Sequence, residues 1–245
     1  DIVTDATLDR DGFGVTFPLA TATRRDSRYA VHDLYLDFHH DRFALDGRLD
    51  LARLTLADFY DVFSLEGDER FSPYQGVTRG TVAIRYTNGF PGDSDSGTLR
   101  TIASLDFDTI SLSGYAFDRG HFEGAFDWLD WSRGASGATL TIDEGVFHKG
   151  EGTVVVAGEM TLGGSLRMSA AADRIALRDL EGIGDRFPDL DGIASLTASI
   201  SGTAEEMRVD ADTLLSNVVY GGRALGDARA YVRMTNDGDP WVHDA

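Results

Sequence analysis

Apolar and polar residues alternate with a period of two along most of this chain, as expected of strands with one dry and one wet face. From His32 onward the pattern is clear. Leu34, Leu36 and Phe38 share a face, and Phe43, Leu45, Leu49 and Leu51 form the next run, with Gly47 at the same parity. Val82, Ile84 and Tyr86 follow, then Leu105 with Phe107, Ile110 with Leu112, an aromatic stretch from Phe122 to Trp131, and Leu140 with Ile142. Gly152–Gly158, Leu166–Met168, Leu196–Ile200, Met207–Val209 and Ala228–Met234 complete the series. The reading is all-β, with roughly fifteen strands of about five to seven residues. Between Thr55 and Leu65 the period changes: Phe59, Val62 and Phe63 fall at helical spacing, and Thr55 with Asp58 suggests a capping box. This predicts one or two helical turns. An echo around Leu180 and Ile183, interrupted by Gly182 and Gly184, predicts a shorter, irregular copy. Both are expected to be end pieces that cover apolar surface.

The chain also repeats itself. Gly97-Thr98 leads to Tyr115 as Gly202-Thr203 leads to Tyr220. Gly47–Leu51 is echoed by Gly158–Leu162, Leu54–Phe59 by Ile175–Leu180, and Phe71–Gly76 by Phe187–Gly192. A recurring block of strands points to stacked, quasi-one-dimensional architecture. The expected organisation is weakly patterned leading strands over 1–30, a first β-repeat unit over 31–144, and a second, continuous with it, over 145–245. An alternating sheet leaves its dry face to be covered by a second sheet, by closure into a barrel, or by curling into a trough. There is too little helix to cover it, which excludes α/β folds.

Composition narrows the function classes. The 245 residues carry a net charge of −19, and no basic stripe interrupts it. Nucleic acid is therefore not an expected partner. No cysteine is present, so disulfide and thiolate chemistry are excluded. No apolar run is long enough for a spanning helix. The start at Asp1 and end at Ala245 read as a segment of something longer.

The polar constellations are weak. His39-His40-Asp41 invites a metal, but adjacent residues of a strand point to opposite faces. His32, His121, His148 and His243 are scattered. Asp93–Gly97 and Asn236–Asp239 resemble the start of a calcium loop without its distal carboxylate. Asp127, Asp130, Trp128 and Trp131 suggest a sugar platform, and a glycosidase needs two carboxylates across a pocket. Gly221-Gly222 lacks the lysine of a phosphate loop. The expectation is no catalytic residues, no metal and no cofactor: a non-enzyme.

One stretch carries a resemblance. In Asp173–Asp227, Gly192 precedes a strand, followed by Ile200-Ser201-Gly202-Thr203, Asn217, Tyr220-Gly221-Gly222 and Leu225-Gly226-Asp227. It resembles the repeated units of TamB/AsmA-like envelope proteins of Gram-negative bacteria, which are related in architecture to bridge-like lipid transfer proteins. Leu54–Gly124 resembles them less closely, keeping Gly76, Gly97, Tyr115 and Gly124 with an insertion near Gly89–Ser96. The likeness is good over 145–235, fair over 31–125 and absent in 1–30. The anchor helix and C-terminal end region of a full-length member are missing, which fits an internal segment.

The resemblance implies a long antiparallel sheet curled into an open U-shaped trough, a β-taco, in the periplasm. Its apolar inside would hold phospholipid acyl chains between inner and outer membranes, anchored to the inner membrane by a segment outside this chain. An outer-membrane β-barrel partner, engaged through other parts, belongs to the same expectation. The candidate lining is Leu49, Leu51, Val82, Ile84, Leu105, Phe107, Leu140, Ile142, Val154, Val156, Leu166, Met168, Ala198 and Ile200. A bulge in any strand would exchange the two faces beyond it. The alternative fold is a β-sandwich or solenoid, an extracellular module for adhesion or carbohydrate binding; a calcium-stabilised surface repeat is a third.

Overall fold

The computed structural model describes residues 2–9, 13–38, 42–62, 74–89, 97–112, 115–128, 137–180, 183–203, 206–237 and 242–244. They form one antiparallel sheet of 16 strands. The strands are β1 (Ile2–Thr4), β2 (Thr7–Leu8), β3 (Gly14–Arg24), β4 (Ser27–Asp37), β5 (Arg42–Thr55), β6 (Gln75–Gly89), β7 (Thr98–Leu112) and β8 (Tyr115–Phe117). They continue as β9 (Arg119–Trp128), β10 (Ala138–Lys149), β11 (Gly152–Thr161), β12 (Ser165–Ala176), β13 (Leu190–Thr203), β14 (Glu206–Tyr220), β15 (Arg223–Asp237) and β16 (Val242–Asp244). Neighbours in sequence are neighbours in space, except that β2 and β8 are short side pieces on β3 and β7. The sheet is open, with β1 and β16 at its ends. Fourteen strands on one path give it a length of roughly 60 Å across the strands. Ten- to fifteen-residue strands replace the five- to seven-residue ones expected, because β-bulges carry pairing through places where the alternation breaks.

No second sheet packs against it among the described residues, so the sandwich alternative is not what the chain forms. The trough follows from what the inner face buries. Phe107, Ile110, Phe117 and Phe147 are buried together although the fold has a single layer; in-plane neighbours can do this only where the sheet is concave towards them. Glycine occupies the inner face at 47, 80, 120, 124, 145 and 158, where a Cβ would meet a neighbour at 3.0 Å or less. Register shifts between Leu51 and Leu54, Val77 and Thr78, Ala172 and Ile175, Asp191 and Ile193, and Leu215 and Val218 add local twist. These five lie towards the same end of the strands, whereas the shifts after His32 in β4 and Ile142 in β10 lie mid-strand.

That end is one rim of the trough, and it carries the helical pieces. Helix α1 (Leu56–Val62) joins β5 to β6. A 3-10 turn at Leu177–Asp179 and helix α2 (Ile183–Arg186) join β12 to β13. The two connections match the Leu54–Phe59 and Ile175–Leu180 echo and link adjacent strands at the same rim. Leu177 packs with Ala194 and Val218 in a small core there. The echo of Gly47–Leu51 in Gly158–Leu162 does not share this placement. Gly47–Leu51 shares β5 with Leu54, whereas Gly158–Leu162 belongs mostly to β11 and Ile175 to β12. Both stretches merely alternate. The sheet continues through residues 30–31, inside β4, and through 144–145, at a register shift inside β10.

The capping of α1 is more elaborate than the sequence predicts. The Asp58 N–H donates to Thr55 Oγ1 at 3.2 Å, the cap expected. The return arm passes through Ser27 on the β3–β4 hairpin: its hydroxyl donates to Asp58 Oδ2 at 2.6 Å and accepts the Thr55 N–H at 3.1 Å. Ser27 and Asp58 are both buried. Arg25 reaches Asp58 at 3.4 Å and Asp61 at 3.2 Å, and Arg24 pairs with Asp61. The Ser27 hydroxyl, opposed by burial and assisted by Thr55 and Arg25, holds the Asp58 carboxyl below its ordinary range. A depressed carboxylate stabilises the fold above its unfolded pKa, about 3.9, and that stability is lost as pH falls through the lower folded value. Asp58→Asn is therefore expected to destabilise the chain by about 2 kcal/mol at pH 7 and by much less at pH 3. Thermal melts at both pH values check this; equal losses would show that the charge is irrelevant.

Candidate functional site

The register sorts every long strand into two faces. Residues directly opposite across a ladder share a face, so inner-face rows can be followed from strand to strand. One row runs Leu51, Gly80, Leu105, Phe122, Gly145, Val156, Ala170, Ala198, Ala211 and Val232, crossing ten strands from β5 to β15. Its neighbour runs Leu49, Val82, Ala103, Gly124, Ile142, Gly158, Met168, Ile200, Val209 and Met234. A third takes in Ile84, Thr101, Phe126, Leu140, Met160, Leu166 and Met207, and a fourth Thr78, Phe107, Phe147, Val154, Ala172 and Leu196. These rows hold all fourteen candidate residues. They contain no Asp, Glu, Lys or Arg.

Twelve of the fourteen are half-buried; Leu51 and Phe107 are fully buried near the helical rim. A closed core would bury them all. Half-burial along ten strands is instead the state of an apolar groove whose floor neighbouring side chains crowd without covering. At one place something does cover it. Phe59 of α1 stands over Tyr29, Leu49, Leu51, Leu54, Val82 and Ile84, leaving a cavity of about 250 Å³ with Arg24, Ser27 and Asp58 at its margin. Phe59 remains 39% exposed.

The outer face is the chemical opposite. Arg85 Nε donates to Asp46 at 2.7 Å across β5 and β6. Asp210 accepts from Arg208, Arg233 and Tyr231, and Arg229 grips Asp212 with both arms. The side chains of Arg208, Arg233 and Tyr231 hold the Asp210 carboxyl well below its usual range. His121 sits between Asp106, at 2.8 Å, and Glu123, at 3.5 Å. Hydrogen bonding to Asp106, against a smaller burial effect, raises its pKa. These pairs belong to an exposed surface and contribute little individually.

Several residues of the groove lie outside the candidate lining. Phe122, Phe126 and Met160 had a signal in the alternation. Tyr29 and Val31 did not. They are odd-numbered, yet share the inner face with even-numbered Leu34 and Leu36, because the positive φ of Asp33 inserts an extra residue between them.

The polar candidates do not assemble. His39, His40, Asp41, Asp93–Ser96, Asp130 and Trp131 lie outside the described residues, as do the side chains of Asn236–Asp239. Asp127 and Trp128 are consecutive on β9 and point to opposite faces, with Asp127 beside Arg100 at 3.4 Å on the outside. Among the described residues there is no group of three or more His, Cys, Asp or Glu able to hold a metal ion. No helix among them is long and apolar enough to cross a membrane.

The residues that carry the family resemblance are mainly turn and bulge positions. Gly192, Gly202, Asn217, Gly221, Gly222 and Gly226 all have positive φ. They specify where strands bend and reverse, not a reactive site. Compared with known proteins, the chain matches no family model, no curated protein and no solved structure.

Proposed function

We propose that this chain is a lipid-holding segment of a periplasm-spanning envelope protein of the TamB/AsmA-like kind, cradling phospholipid acyl chains in its groove between the two membranes. One observation carries the reading: an apolar inner face, free of charge over ten consecutive strands and left half-exposed by an open sheet. Such a surface is costly in water and matches a long hydrocarbon. Burying acyl methylenes stabilises the complex by about 0.8 kcal/mol each. With no charged anchor on the groove floor, binding depends on contact length, and barriers to sliding are low. Head groups stay in water along the slot. No catalytic step is part of this reading.

The test is mass spectrometry of lipid extracted from the purified chain. The expected result is phospholipid at about one molecule or more per chain, since a groove of ten strands, roughly 43 Å long, is longer than any single acyl chain. A well-folded preparation free of lipid, which also takes up none from vesicles, would overturn the reading.

A further inference from the structure

The slot also has an electrical character. Of the 22 basic residues only Lys149 is a lysine. Arg24, Arg25, Arg48, Arg79, Arg85, Arg100, Arg174, Arg208, Arg229 and Arg233 are already engaged with carboxylates of this same chain, and at the helical rim Lys149 and Arg178 share a pocket with Arg174 and an equal number of acids, Glu151, Asp179 and Asp191. Even at the 250 Å³ cavity under Phe59, the marginal Arg24 and its neighbour Arg25 are neutralised by Asp58 and Asp61. The groove floor contributes no charge of its own. A head group riding at the slot is thus held near a body of net charge −19, without a cationic seat on the floor.

We propose that the groove discriminates by head-group charge, favouring lipids with a zwitterionic or uncharged head group over anionic ones with the same acyl chains. This rests on the lipid-groove reading and adds the substrate class to it. The tails are recognised identically in both cases, because the floor senses only methylenes. The difference arises where the head group projects past the rims. There a net negative phosphate is repelled by the protein's field, whereas a phosphate balanced by an ammonium is not. The effect reaches about 30 Å at 0.01 M salt and only about 3 Å at 1 M. Selectivity of this origin must therefore fade as salt is added.

The chain is incubated with vesicles of equimolar dioleoyl phosphatidylcholine and dioleoyl phosphatidylglycerol, recovered, and its lipid extracted and quantified at 0.01 M and 0.5 M salt. The expected result is about a fivefold excess of the choline lipid at low salt, falling towards parity at high salt as the screening length shortens. An equal share or an excess of the glycerol lipid at low salt overturns the proposal and leaves the groove reading intact. A choline preference indifferent to salt also overturns it, since head-group shape would then be the cause. Uptake of neither lipid overturns the groove reading and this inference with it.

Discussion

In the Ile84→Asp, Val156→Asp double variant, retained phospholipid is expected to fall at least tenfold while the chain keeps its wild-type circular dichroism. The two positions lie on the groove floor in different parts of the sheet, on β6 and β11. Both are half-buried, so each new carboxylate keeps part of its hydration and the fold survives, at a cost below that of charging a closed core. An acyl chain gains no such relief. To pass either carboxylate it must lift off the floor. Losing contact for two methylenes already amounts to about 1.6 kcal/mol, more than a factor of ten in affinity. Ile84→Ala with Val156→Ala supplies the control: it removes bulk, leaves the floor apolar, and should retain lipid. If the charged variant holds as much lipid as wild type, hydrocarbon does not lie on this face. If the alanine pair loses lipid as completely as the aspartate pair, shape and not polarity is being read.

Gly158→Val is expected to be strongly destabilising, lowering Tm by roughly 6–12 °C for a loss of about 3 kcal/mol. Gly158 has φ +146°, outside the range that side-chain-bearing residues readily adopt. A Cβ there would also stand 2.3 Å from the Arg167 carbonyl oxygen and 2.6 Å from Met168 Cα. Both are backbone atoms of the paired strand and cannot swing aside. Gly221 separates the two causes: it has φ +55° and nothing within 4 Å of its Cβ position. Gly221→Ala should cost only about 1 kcal/mol, the strain of a left-handed residue. Comparable melting temperatures for the two variants would show that the close approach between β11 and β12 is not a constraint on the curl.

Much of this arrangement was legible in the sequence, for a simple reason. A sheet wet on one side and dry on the other writes its period directly into the chain. Leu140 with Ile142, or Leu166 with Met168, could have no other pairing of faces over so short a run. The helical turn after Thr55 was equally plain, because both the spacing and the cap are local. What alternation cannot show is the phase change at a bulge. Phe107 and Ile110, or Ile142 and Phe147, face the same way across an odd separation. Only the register between strands reveals it. Ser27 was invisible for a related reason. Its role in capping α1 depends on a hairpin 28 residues upstream of Thr55 being folded beside it. The groove was predicted as a set of residues, whereas its openness depends on how far the sheet coils, a sum of small twists at Gly80, Gly158 and the bulges.

The direction of the hydrogen bonds has a mechanical meaning. Strands lie across the groove, so the bonds joining them lie along it, and a pull between the two ends of the trough loads the ladders in series. Thirteen registered pairs join β6 to β7 and eight join β11 to β12. Each junction shares tension among its own bonds, but the whole carries no more than its weakest junction. Extension under load would therefore come by parting one seam while the remaining strands stay paired. Unlike a helical rod, this molecule concentrates failure at a seam and leaves the stretches on either side in register, ready to close again when the tension is released.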